Sequence, residues 1–438
     1  MSPARQLARD VLLAVEERGG YASDLLHSPL ARGLSPADLR LATEIVMGVL
    51  RWRAQLDFVL ERAARRPVAR MQPAARVALR IGAYQLRFLS RIPASAAVNE
   101  SVALAKASDP RLGGFVNAVL RHLPAEPVEA LLAPESDLRR RREVEFSHPA
   151  WLLERWSRAY SPATADRIAE FNNQPPPTAF RLAPGAALPT GLAATPGLLL
   201  ASALRATSGD LTHTPAFRAH QLWIQDEASQ LIPYLLEPQS RDRILDACAA
   251  PGAKTALLQA LAPAATLVAL ERHLHRARLL RRLLPSLPLL LVADASRPLP
   301  LRGQFDRILV DAPCTGTGTL ARNPEIRWRL DPADPARLAQ LQLAILRQAL
   351  ARLRPAGRCV YSVCSIESEE GPGVVAAVLA ADSSLSLLPA ANVLASLAAA
   401  HHLAPGLDPA SLTAGAFLRI LPGQHATDGF FAAILQRH

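Results

Sequence analysis

After about residue 240, short apolar runs alternate regularly with amphipathic stretches of helical length. This alternation predicts a parallel, doubly wound sheet whose strands are joined by right-handed crossover helices. The expected strands are Arg243–Ala247, Thr266–Leu270, Pro288–Ala293, Phe305–Asp311 and Arg358–Val363. The expected helices are Ala253–Leu261, His273–Leu284, Pro335–Leu353 and Glu369–Ala380, and an antiparallel hairpin of Phe417–Leu421 and Gly429–Gln436 is expected to close the sheet.

Before residue 240 the pattern of apolar and polar residues is different. With 438 residues, the chain is also too long for a single hydrophobic core. Residues 1 to about 125 predict helices only, at Arg5–Glu17, Pro36–Leu60, Ala96–Ala107, Gly114–Leu123 and around Val77, Ile81, Tyr84 and Phe88, which recur on one helical face. Residues 146–240 are mixed, and three consecutive prolines favour a strand at Thr178–Leu182. We therefore expect a multidomain protein: an all-α domain over 1–130, a linker and small α+β subdomain over 131–240, and the α/β domain over 241–438.

The amino-acid composition indicates the class of protein and the kind of partner that it binds. Half of the residues are hydrophobic and a fifth are charged, which is typical of a globular enzyme and not of a disordered chain. The net charge of +11 favours a polyanionic partner, and a compositional bias toward arginine explains it equally well, because lysine occurs only at positions 106 and 254. That bias makes Lys254 informative, since a lysine here marks a place where a compact ammonium group is needed.

Several kinds of protein are excluded at this stage. The four cysteines form no CxxC pair and no metal-ligand spacing with histidine, so we expect free thiols in a reducing cytoplasm and no metal site. The first ten residues carry charges where a signal peptide needs an apolar run, and no membrane role is expected. A monomer is expected.

Two of the cysteines follow predicted strands. Cys314 ends the segment Val310-Asp-Ala-Pro-Cys314, and Cys364 lies in Tyr361-Ser-Val-Cys-Ser365. In a wound α/β sheet, ligands bind at the carboxyl ends of the strands. A buried structural thiol is the alternative for each cysteine alone. Their shared placement, with Asp311 beside one of them, favours covalent chemistry on a substrate and a separate step that reverses it.

The loop after the first strand is built from small residues. Ala249, Ala250 and Gly252 allow a ligand to approach the backbone closely. The glycine patterns of a phosphate-binding or dinucleotide-binding loop are incomplete here. A cofactor with an adenosine but no pyrophosphate, such as S-adenosylmethionine, fits better. The candidate loop residues are Cys248, Ala249, Ala250, Pro251, Gly252, Ala253 and Lys254.

Two carboxylates extend this cofactor site. Glu271 follows the second strand, where an acid accepts hydrogen bonds from ribose hydroxyls. Asp294 follows the third strand, where it could meet the adenine amino group. For each acid, the alternative is capping of the next helix.

With these segments identified, the chain resembles the RNA cytosine-5 methyltransferases, and most of all the bacterial members that act on 16S ribosomal RNA. The resemblance runs nearly from end to end and includes a NusB-like helical domain. It is carried by Gly82–Leu86, Gly114–Arg121, His148–Leu152, Asn172–Thr178, Gln225–Gln230, Asp246–Lys254, Asp311–Cys314, Arg322–Trp328, Ser362–Ser365 and Thr427–Phe431.

The resemblance implies an enzyme of the methyltransferase class (EC 2.1.1) with a Rossmann-like catalytic domain. It implies that loop 248–254, Glu271, Asp294 and Asp311 bind S-adenosylmethionine, that Cys364 is the nucleophile, and that Cys314 helps to release the methylated RNA. Ala253 replaces a usual glycine and Val363 a usual threonine, and Glu271 stands where the shorter Asp is more usual. Two alternatives remain open: methylation of tRNA, and a non-catalytic RNA-binding assembly or antitermination factor.

The chemistry explains why two thiols are needed. Cytosine C5 is a weak nucleophile, and addition of a thiolate to C6 places electron density at C5. A free thiol ionises near pH ~8.5, so a positive field from Lys254 or a neighbouring arginine would raise the thiolate fraction. Asp311 would stabilise the charge that develops at N3. The target base has to leave its stack, and aromatic or arginine side chains near Trp328 are candidate supports; a core role for Trp328 is the alternative.

Overall fold

The computed structural model describes residues 1–287 and 289–438, which form two compact units. One unit comprises Met1–Pro175 together with Leu320–Leu330, and the other comprises Pro176–Thr319 together with Asp331–His438. Within the described ranges, we find no helix with the length and apolarity that a membrane crossing requires. The expected three-part division at residues 130 and 240 stays a prediction.

The first unit is all-helical, as the sequence predicts. Its main core is a cluster of buried, mostly aliphatic side chains that includes Val77 and Ile81, and a smaller cluster lies around Phe58, Val59 and Val144. Tyr84 is buried, whereas Phe88 at the end of the same helix is 36% exposed and stacks on Tyr84 and Trp52. The helices are Pro3–Arg18, Ala22–Leu26, Pro36–Arg51, Arg53–Ala64, Pro73–Phe88, Ala94–Ser108, Leu112–Arg121, Val128–Leu132, Leu138–Phe146, Ala150–Ala159, Pro162–Asn172 and Ile326–Arg329.

One helix prediction in this unit is wrong. The stretch Pro36–Leu60 is two helices, because the backbone at Trp52 leaves helical geometry (φ −99°, ψ 18°) and starts a new helix. The apolar periodicity runs through this break and hides it. The charged stretch after residue 137 is a surface helix, with Asp137 as its N-cap.

A buried arginine organises the segment Leu320–Leu330 inside the helical unit. Arg327 is fully buried and donates hydrogen bonds to the carbonyls of Ser147, Asn172 and Leu320. It also donates to Asn173 Oδ1 at 2.8 Å. Burial lowers the pKa of Arg327, and these acceptors replace the water that a guanidinium otherwise requires.

The second unit begins with a small antiparallel sheet. The strands β1 (Ala179–Leu182), β2 (Ala193–Pro196), β3 (Ala203–Ser208) and β4 (Leu222–Ile224) lie in the order β2-β3-β1-β4. The expected strand after the three prolines is β1. This sheet surrounds its own apolar cluster, centred on Phe180, Leu211 and Leu222.

The larger sheet of the second unit is the predicted doubly wound sheet. Its strands lie in the order β11-β12-β13-β9-β8-β5-β6-β7, and β10 pairs with β13. The contacts β5–β6, β5–β8, β6–β7 and β8–β9 are parallel, and those of β13 are antiparallel. The strands are β5 (Arg243–Asp246), β6 (Thr266–Glu271), β7 (Leu289–Val292), β8 (Phe305–Asp311), β9 (Leu353–Val363), β10 (Leu385–Leu388), β11 (Thr413–Ala414), β12 (Phe417–Ile420) and β13 (Phe430–Arg437).

Helices cover both faces of this sheet, because alternate strand residues point to opposite sides. Ile244 belongs to one apolar cluster and its neighbour Leu245 to another, and Leu309 and Val310 divide in the same way. The main helices are Glu227–Leu235, Ala253–Leu261, Leu274–Leu283, Asp334–Leu350, Val374–Ala381 and Ala390–Ala399.

The predicted elements differ from the structure mainly at their ends. The predicted helix Glu369–Ala380 begins with a π-helical turn at Glu369–Gly373, and the α-helix starts only at Val374. The predicted helix Pro335–Leu353 ends at Leu350, because Leu353 already belongs to β9. The third predicted strand starts at Pro288, which lies outside the described residues, and β7 begins at Leu289.

Candidate active site

The two cysteines singled out in the sequence lie next to each other. Cys314 is in the loop after β8, and Cys364 directly follows β9. These strands are parallel neighbours, with Asp311 opposite Ser362, so both loops leave the same edge of the sheet. The two Sγ atoms are 3.3 Å apart, and both residues are partly exposed. Fifty residues of sequence separate two thiols that are within hydrogen-bonding distance.

The thiol of Cys314 is held in its protonated form. Its contact with the Cys364 sulfur raises the pKa of Cys314 well above the ordinary thiol value, with further contributions from burial and the negative charge of Glu370. A proton on Cys314 can therefore point toward Cys364.

Asp311, the last residue of β8, is fixed by two donors. Lys254 Nζ lies 2.8 Å from Asp311 Oδ2, and Ser362 Oγ donates to Asp311 Oδ1 at 2.9 Å. The same ammonium group lies 5.1 Å from the centre of the Phe430 ring. The lysine thus brings a positive charge to the strand end that precedes Cys314, and the carboxylate is kept in one orientation.

The loop after β5 has the features of a close-fitting ligand loop. Gly252 has φ +119°, and a Cβ there would lie 2.4 Å from Leu280 Cδ1. Ala253 is the first residue of the helix Ala253–Leu261, so its replacement of glycine needs no positive φ. The peptide between Ala250 and Pro251 is cis. Burial raises the pKa of the Cys248 thiol, which leaves that residue uncharged in the loop.

Beneath this loop, Asp246 is a buried carboxylate with an available acceptor. Thr255 Oγ1 donates to Asp246 Oδ2 at 2.7 Å, while Oδ1 has no hydrogen-bond partner among residues 1–287 and 289–438. Burial raises the pKa of Asp246 to about 6. An orphaned acceptor beneath a small-residue loop is the type of feature that a polar ligand or a bound water would satisfy.

Glu271 is the last residue of β6, Asp294 lies two residues after β7, and both accept hydrogen bonds within the turns that follow. Glu271 Oε1 accepts from the His273 N–H at 2.7 Å, at the start of the helix Leu274–Leu283. Asp294 Oδ1 accepts from Ser296 N and Oγ at 3.0 and 2.6 Å, which lowers the pKa of Asp294. Each acid therefore uses one oxygen for its turn. Neither acid is the N-cap of a helix: His273 holds that position before Leu274–Leu283 without a side-chain cap bond, and the described residues 295–304 between Asp294 and β8 contain no helix.

These residues fit S-adenosylmethionine. Asp246 offers an orphaned acceptor beneath the small-residue loop, and Glu271 and Asp294 lie at successive strand ends. The fit needs no pyrophosphate-binding glycines, which the loop lacks. Among the described residues, no group of histidine, cysteine and acidic side chains is arranged to hold a metal ion.

Two residues of this region were not predicted from the sequence. Glu370 is a fully buried carboxylate that accepts hydrogen bonds from both cysteine-bearing loops. Arg181 of β1 is buried and donates to the carbonyl of Ala253 at 2.9 Å, and burial lowers its pKa to about 10. Neither stands out in sequence: Glu370 lies in an acidic stretch, and Arg181 is one of many arginines.

Trp328 lies in the helical unit. Its Nε1 donates to Leu50 O at 2.7 Å, and the Arg53 guanidinium lies 5.3 Å from the ring centre. Trp328, Trp151 and Arg53 help to line a groove of about 600 Å³ on this unit. Acidic residues line the groove as well, so its charge is mixed.

A wound sheet with an S-adenosylmethionine-type loop after its first strand and two adjacent thiols defines the class: a Rossmann-like methyltransferase. Residues 233–436 match the family model of the 16S rRNA methyltransferase RsmB/F, and residues 2–124 match the NusB family. The chain belongs to the RsmB/F methyltransferase family and carries a NusB-like N-terminal domain. It is an RNA-methylating enzyme, and S-adenosylmethionine is its cofactor.

Relatives match over nearly the whole chain. The probable ribosomal RNA small subunit methyltransferase B of Bacillus subtilis is 32% identical over 451 residues, which cover 99% of this chain and 98% of the relative. The ribosomal RNA small subunit methyltransferase B of Klebsiella pneumoniae is 35% identical over 395 residues, covering 86% and 89%.

Solved structures share the fold. The structure of PH0851 matches with a TM-score of 0.80 at 22% identity and covers 100% of this chain and 99% of that one. A methyltransferase homologue from Pyrococcus horikoshii matches with a TM-score of 0.56 at 25% identity, covering 69% and 100%.

Proposed function

We propose that the protein methylates C5 of one cytosine in 16S ribosomal RNA through a covalent bond between Cys364 and C6 of the base. The single observation that carries this proposal is the pair of sulfurs 3.3 Å apart beside the Lys254–Asp311 ion pair. One thiol suffices to attack a base, and a second in contact with it suits the reversal of that bond. The relatives named small subunit methyltransferase B support ribosomal RNA as the substrate.

In the first step, the Cys364 thiolate adds to C6 of the cytosine and breaks the aromaticity of the ring. Negative charge develops toward N3, and a proton carried by Asp311 or shared between Asp311 and N3 would neutralise it. Lys254 keeps Asp311 in place by a 2.8 Å contact. The electron pair of the thiolate forms the S–C6 bond, and the displaced C5=C6 π electrons shift toward C5 and N3, so that C5 becomes the nucleophile.

S-adenosylmethionine supplies an electrophilic methyl group, and loop 248–254, Glu271, Asp294 and Asp311 would hold it. Once C5 is methylated, its proton has to leave and the Cys364–C6 bond has to break. The C5 proton is taken by a base, the C5–H electron pair restores the C5–C6 double bond, and Cys364 departs as a thiolate. Cys314 holds a proton next to the departing sulfur and can deliver it there.

We also propose that residues 1–130 and 131–240 form the RNA-recognition part of the enzyme and residues 241–438 the catalytic part, and that it acts in the cytoplasm as a monomer. The match of residues 2–124 to the NusB family and the net charge of +11 support an RNA partner. The groove with Trp151 and Trp328 is a candidate contact surface, because aromatic side chains stack on unpaired bases.

Replacement of the nucleophile tests the proposal. Cys364→Ala is expected to abolish 5-methylcytosine formation in small-subunit RNA, while S-adenosylmethionine still binds because loop 248–254 is unchanged. Bisulfite sequencing of RNA incubated with each variant measures the product, and calorimetry measures cofactor binding. Cys359→Ala is the matched control, since Cys359 is buried within β9. Normal methylation by Cys364→Ala would exclude Cys364 as the nucleophile. If 5-methylcytosine formed only in tRNA, tRNA and not ribosomal RNA would be the substrate.

Replacement of the second cysteine tests the release step. Cys314→Ser is expected to form the bond to RNA and to break it slowly, because a serine hydroxyl is a far weaker acid than a thiol. The trapped complex is then visible as a denaturant-resistant protein–RNA band that Cys364→Ala lacks. Full turnover without such a band would show that Cys314 takes no part in release.

A further inference from the structure

We propose that Glu370 is a positioning residue of this active site: its buried carboxylate ties the Cys314 loop to the Cys364 loop and so sets the distance between the two sulfurs. The reaction that this spacing serves rests on the proposed function above. The spacing itself is a property of the folded protein and can be measured without RNA or cofactor.

The hydrogen bonds of Glu370 divide between the two loops. Its Oε1 accepts from the backbone N–H of Thr315 at 2.8 Å, and its Oε2 accepts from the Thr315 hydroxyl as well. The same Oε2 accepts from Ser365 Oγ at 2.5 Å. Thr315 directly follows Cys314, and Ser365 directly follows Cys364. One carboxylate thus holds the residue next to each cysteine.

The carboxylate is also anchored to the body of the domain. Gln342, from the helix Asp334–Leu350, donates its Nε2 to Glu370 Oε1 at 2.9 Å and to the carbonyl of Pro313 at 3.0 Å. The Tyr361 hydroxyl donates to the backbone carbonyl of Glu370 at 2.5 Å. Through these contacts the position of Glu370 is fixed by β9 and by a long helix, and not by the two loops alone.

A buried carboxylate such as that of Glu370 destabilises the fold unless its oxygens accept hydrogen bonds. Glu370 is 0% exposed, and burial raises its pKa while its hydrogen bonds to Ser365, Thr315 and Gln342 oppose that rise. A carboxylate without water needs donors for its oxygens, and here hydroxyl, amide and backbone groups supply them. An exposed glutamate side chain would be mobile and could not fix the distance between the two loops. Burial holds the Glu370 carboxylate in one position.

The spacing is sensitive to small displacements. At 3.3 Å the thiol of Cys314 can share its proton with Cys364, and a shift of about 1 Å in either loop would end that contact. Other hydrogen bonds join the same two loops: the Gly318 N–H donates to the Cys364 carbonyl at 3.1 Å, and the Ile366 N–H donates to Thr317 Oγ1 at 3.1 Å. Loss of the Glu370 carboxylate should therefore loosen the pair without separating it completely.

A matched pair of substitutions tests the proposal. Glu370→Gln keeps an oxygen for the Thr315 N–H and Gln342, and its amide can donate to the two hydroxyl oxygens. Glu370→Ala removes all of these contacts. The readout is the rate at which dibromobimane bridges Cys314 and Cys364 in the full-length protein, located by peptide mass mapping. Glu369→Ala, which removes the preceding acid, is the control.

We expect bridging to fall about tenfold in Glu370→Ala and to stay within about twofold of the wild type in Glu370→Gln and Glu369→Ala. If Glu370→Ala does not fold, the double variant Thr315→Val, Ser365→Ala removes both hydroxyl donors to Glu370, together with the contacts of Ser365 Oγ to Thr317 and to the Glu367 N–H. It is expected to slow bridging about threefold. An unchanged bridging rate in the folded alanine variant, or in the double variant, overturns the proposal.

The failure of this inference is distinguishable from a failure of the proposed function. If Cys364→Ala still methylates RNA, the reaction assignment fails and the bridging result stands by itself. If the reaction assignment holds, Glu370→Ala should also accumulate the denaturant-resistant protein–RNA band, as Cys314→Ser does, and Glu370→Gln should restore its release. A structural defect alone would lower all activity and leave no such band.

Discussion

At the scale of single residues, Cys314 and Cys364 have different neighbours, which supports the different roles that we propose for them. Cys314 contacts the other sulfur and senses the charge of Glu370, and both raise its pKa. Cys364 follows β9 directly, and its carbonyl is held by Gly318. The ion pair between Asp311 and Lys254 lies at the same edge of the sheet. The surroundings of the two sulfurs therefore differ before any substrate binds, which supports the nucleophile and proton-donor roles that we propose.

Asp246 gives a pH-dependent prediction at this scale. Its pKa in the folded protein, about 6, lies above the ordinary carboxyl value because of burial. The folded state therefore binds the proton more tightly, and the wild type loses stability as pH rises through that window. Asp246→Asn avoids this loss. Between pH 5 and 7.5 its unfolding free energy should gain about 1 to 1.5 kcal/mol relative to the wild type.

Urea unfolding at the two pH values measures this difference. Asp294→Asn is the control, because hydrogen bonds from Ser296 lower the pKa of Asp294 and its carboxylate is already ionised at pH 5. Its stability difference from the wild type should be the same at both pH values. A constant difference for Asp246→Asn as well would show that Asp246 is ionised throughout.

Sequence reasoning identified the cysteines and Asp311 because strand ends are readable from apolar runs. It could place them near one another only by assuming which strands pair, and the order β5-β8-β9 supplies that. Glu370 was out of reach for a physical reason. Glu367, Glu369 and Glu370 look alike in sequence, and only the packing of the π-helical turn decides which side chain meets Thr315.

At the scale of elements, the turn from β5 into the helix Ala253–Leu261 contains loop 248–254, which we propose as the cofactor-binding loop. Gly252 needs φ +119°, and a Cβ there would lie 2.4 Å from Leu280 Cδ1. Gly252→Ala should therefore distort the loop, weaken S-adenosylmethionine binding at least about tenfold and destabilise the fold by about 1–3 kcal/mol. Calorimetry and thermal unfolding measure the two effects.

Ala253→Gly is the control for the same loop. Ala253 is already helical, so restoring the family's glycine should cost at most about 1 kcal/mol of stability and leave cofactor affinity unchanged. Wild-type affinity in Gly252→Ala, or a large gain in affinity in Ala253→Gly, would contradict this account of the loop.

Helices and strands were predicted correctly where the apolar periodicity and the turn-forming residues at the ends of the element agreed. Phe305–Asp311 and Ala253–Leu261 have the predicted limits, because an apolar run and a glycine mark their ends. The break at Trp52 was missed, since neither proline nor glycine stands there and the apolar pattern continues. The π-helical turn was missed for a similar reason: its hydrogen bonds depend on buried tertiary partners, which no local pattern records.

At the scale of the whole molecule, the compact units are not continuous in sequence, because each combines two separate stretches of the chain. The helical unit contains Leu320–Leu330, which follows it in sequence by more than 140 residues. The sequence marked Arg322–Trp328 as a family segment and gave no sign of where it packs. Long-range packing of this kind is set by burial of Arg327 against Ser147 and Asn172, and neither residue is unusual in sequence.

Arg327 yields the prediction that belongs to this scale. Its planar guanidinium reaches four acceptors in different directions, and an ammonium group cannot reproduce that fork. Arg327→Lys should leave Asn173 Oδ1 and buried carbonyls without donors and destabilise the helical unit by about 2–4 kcal/mol. Arg121→Lys, at an exposed site with one contact in its own helix, should change stability by less than about 0.5 kcal/mol. Hydrogen exchange read by mass spectrometry should show the Arg327→Lys loss at residues 147–173, and equal protection of that segment in the two variants would mean that Arg327 is not what holds Leu320–Leu330 in the helical unit.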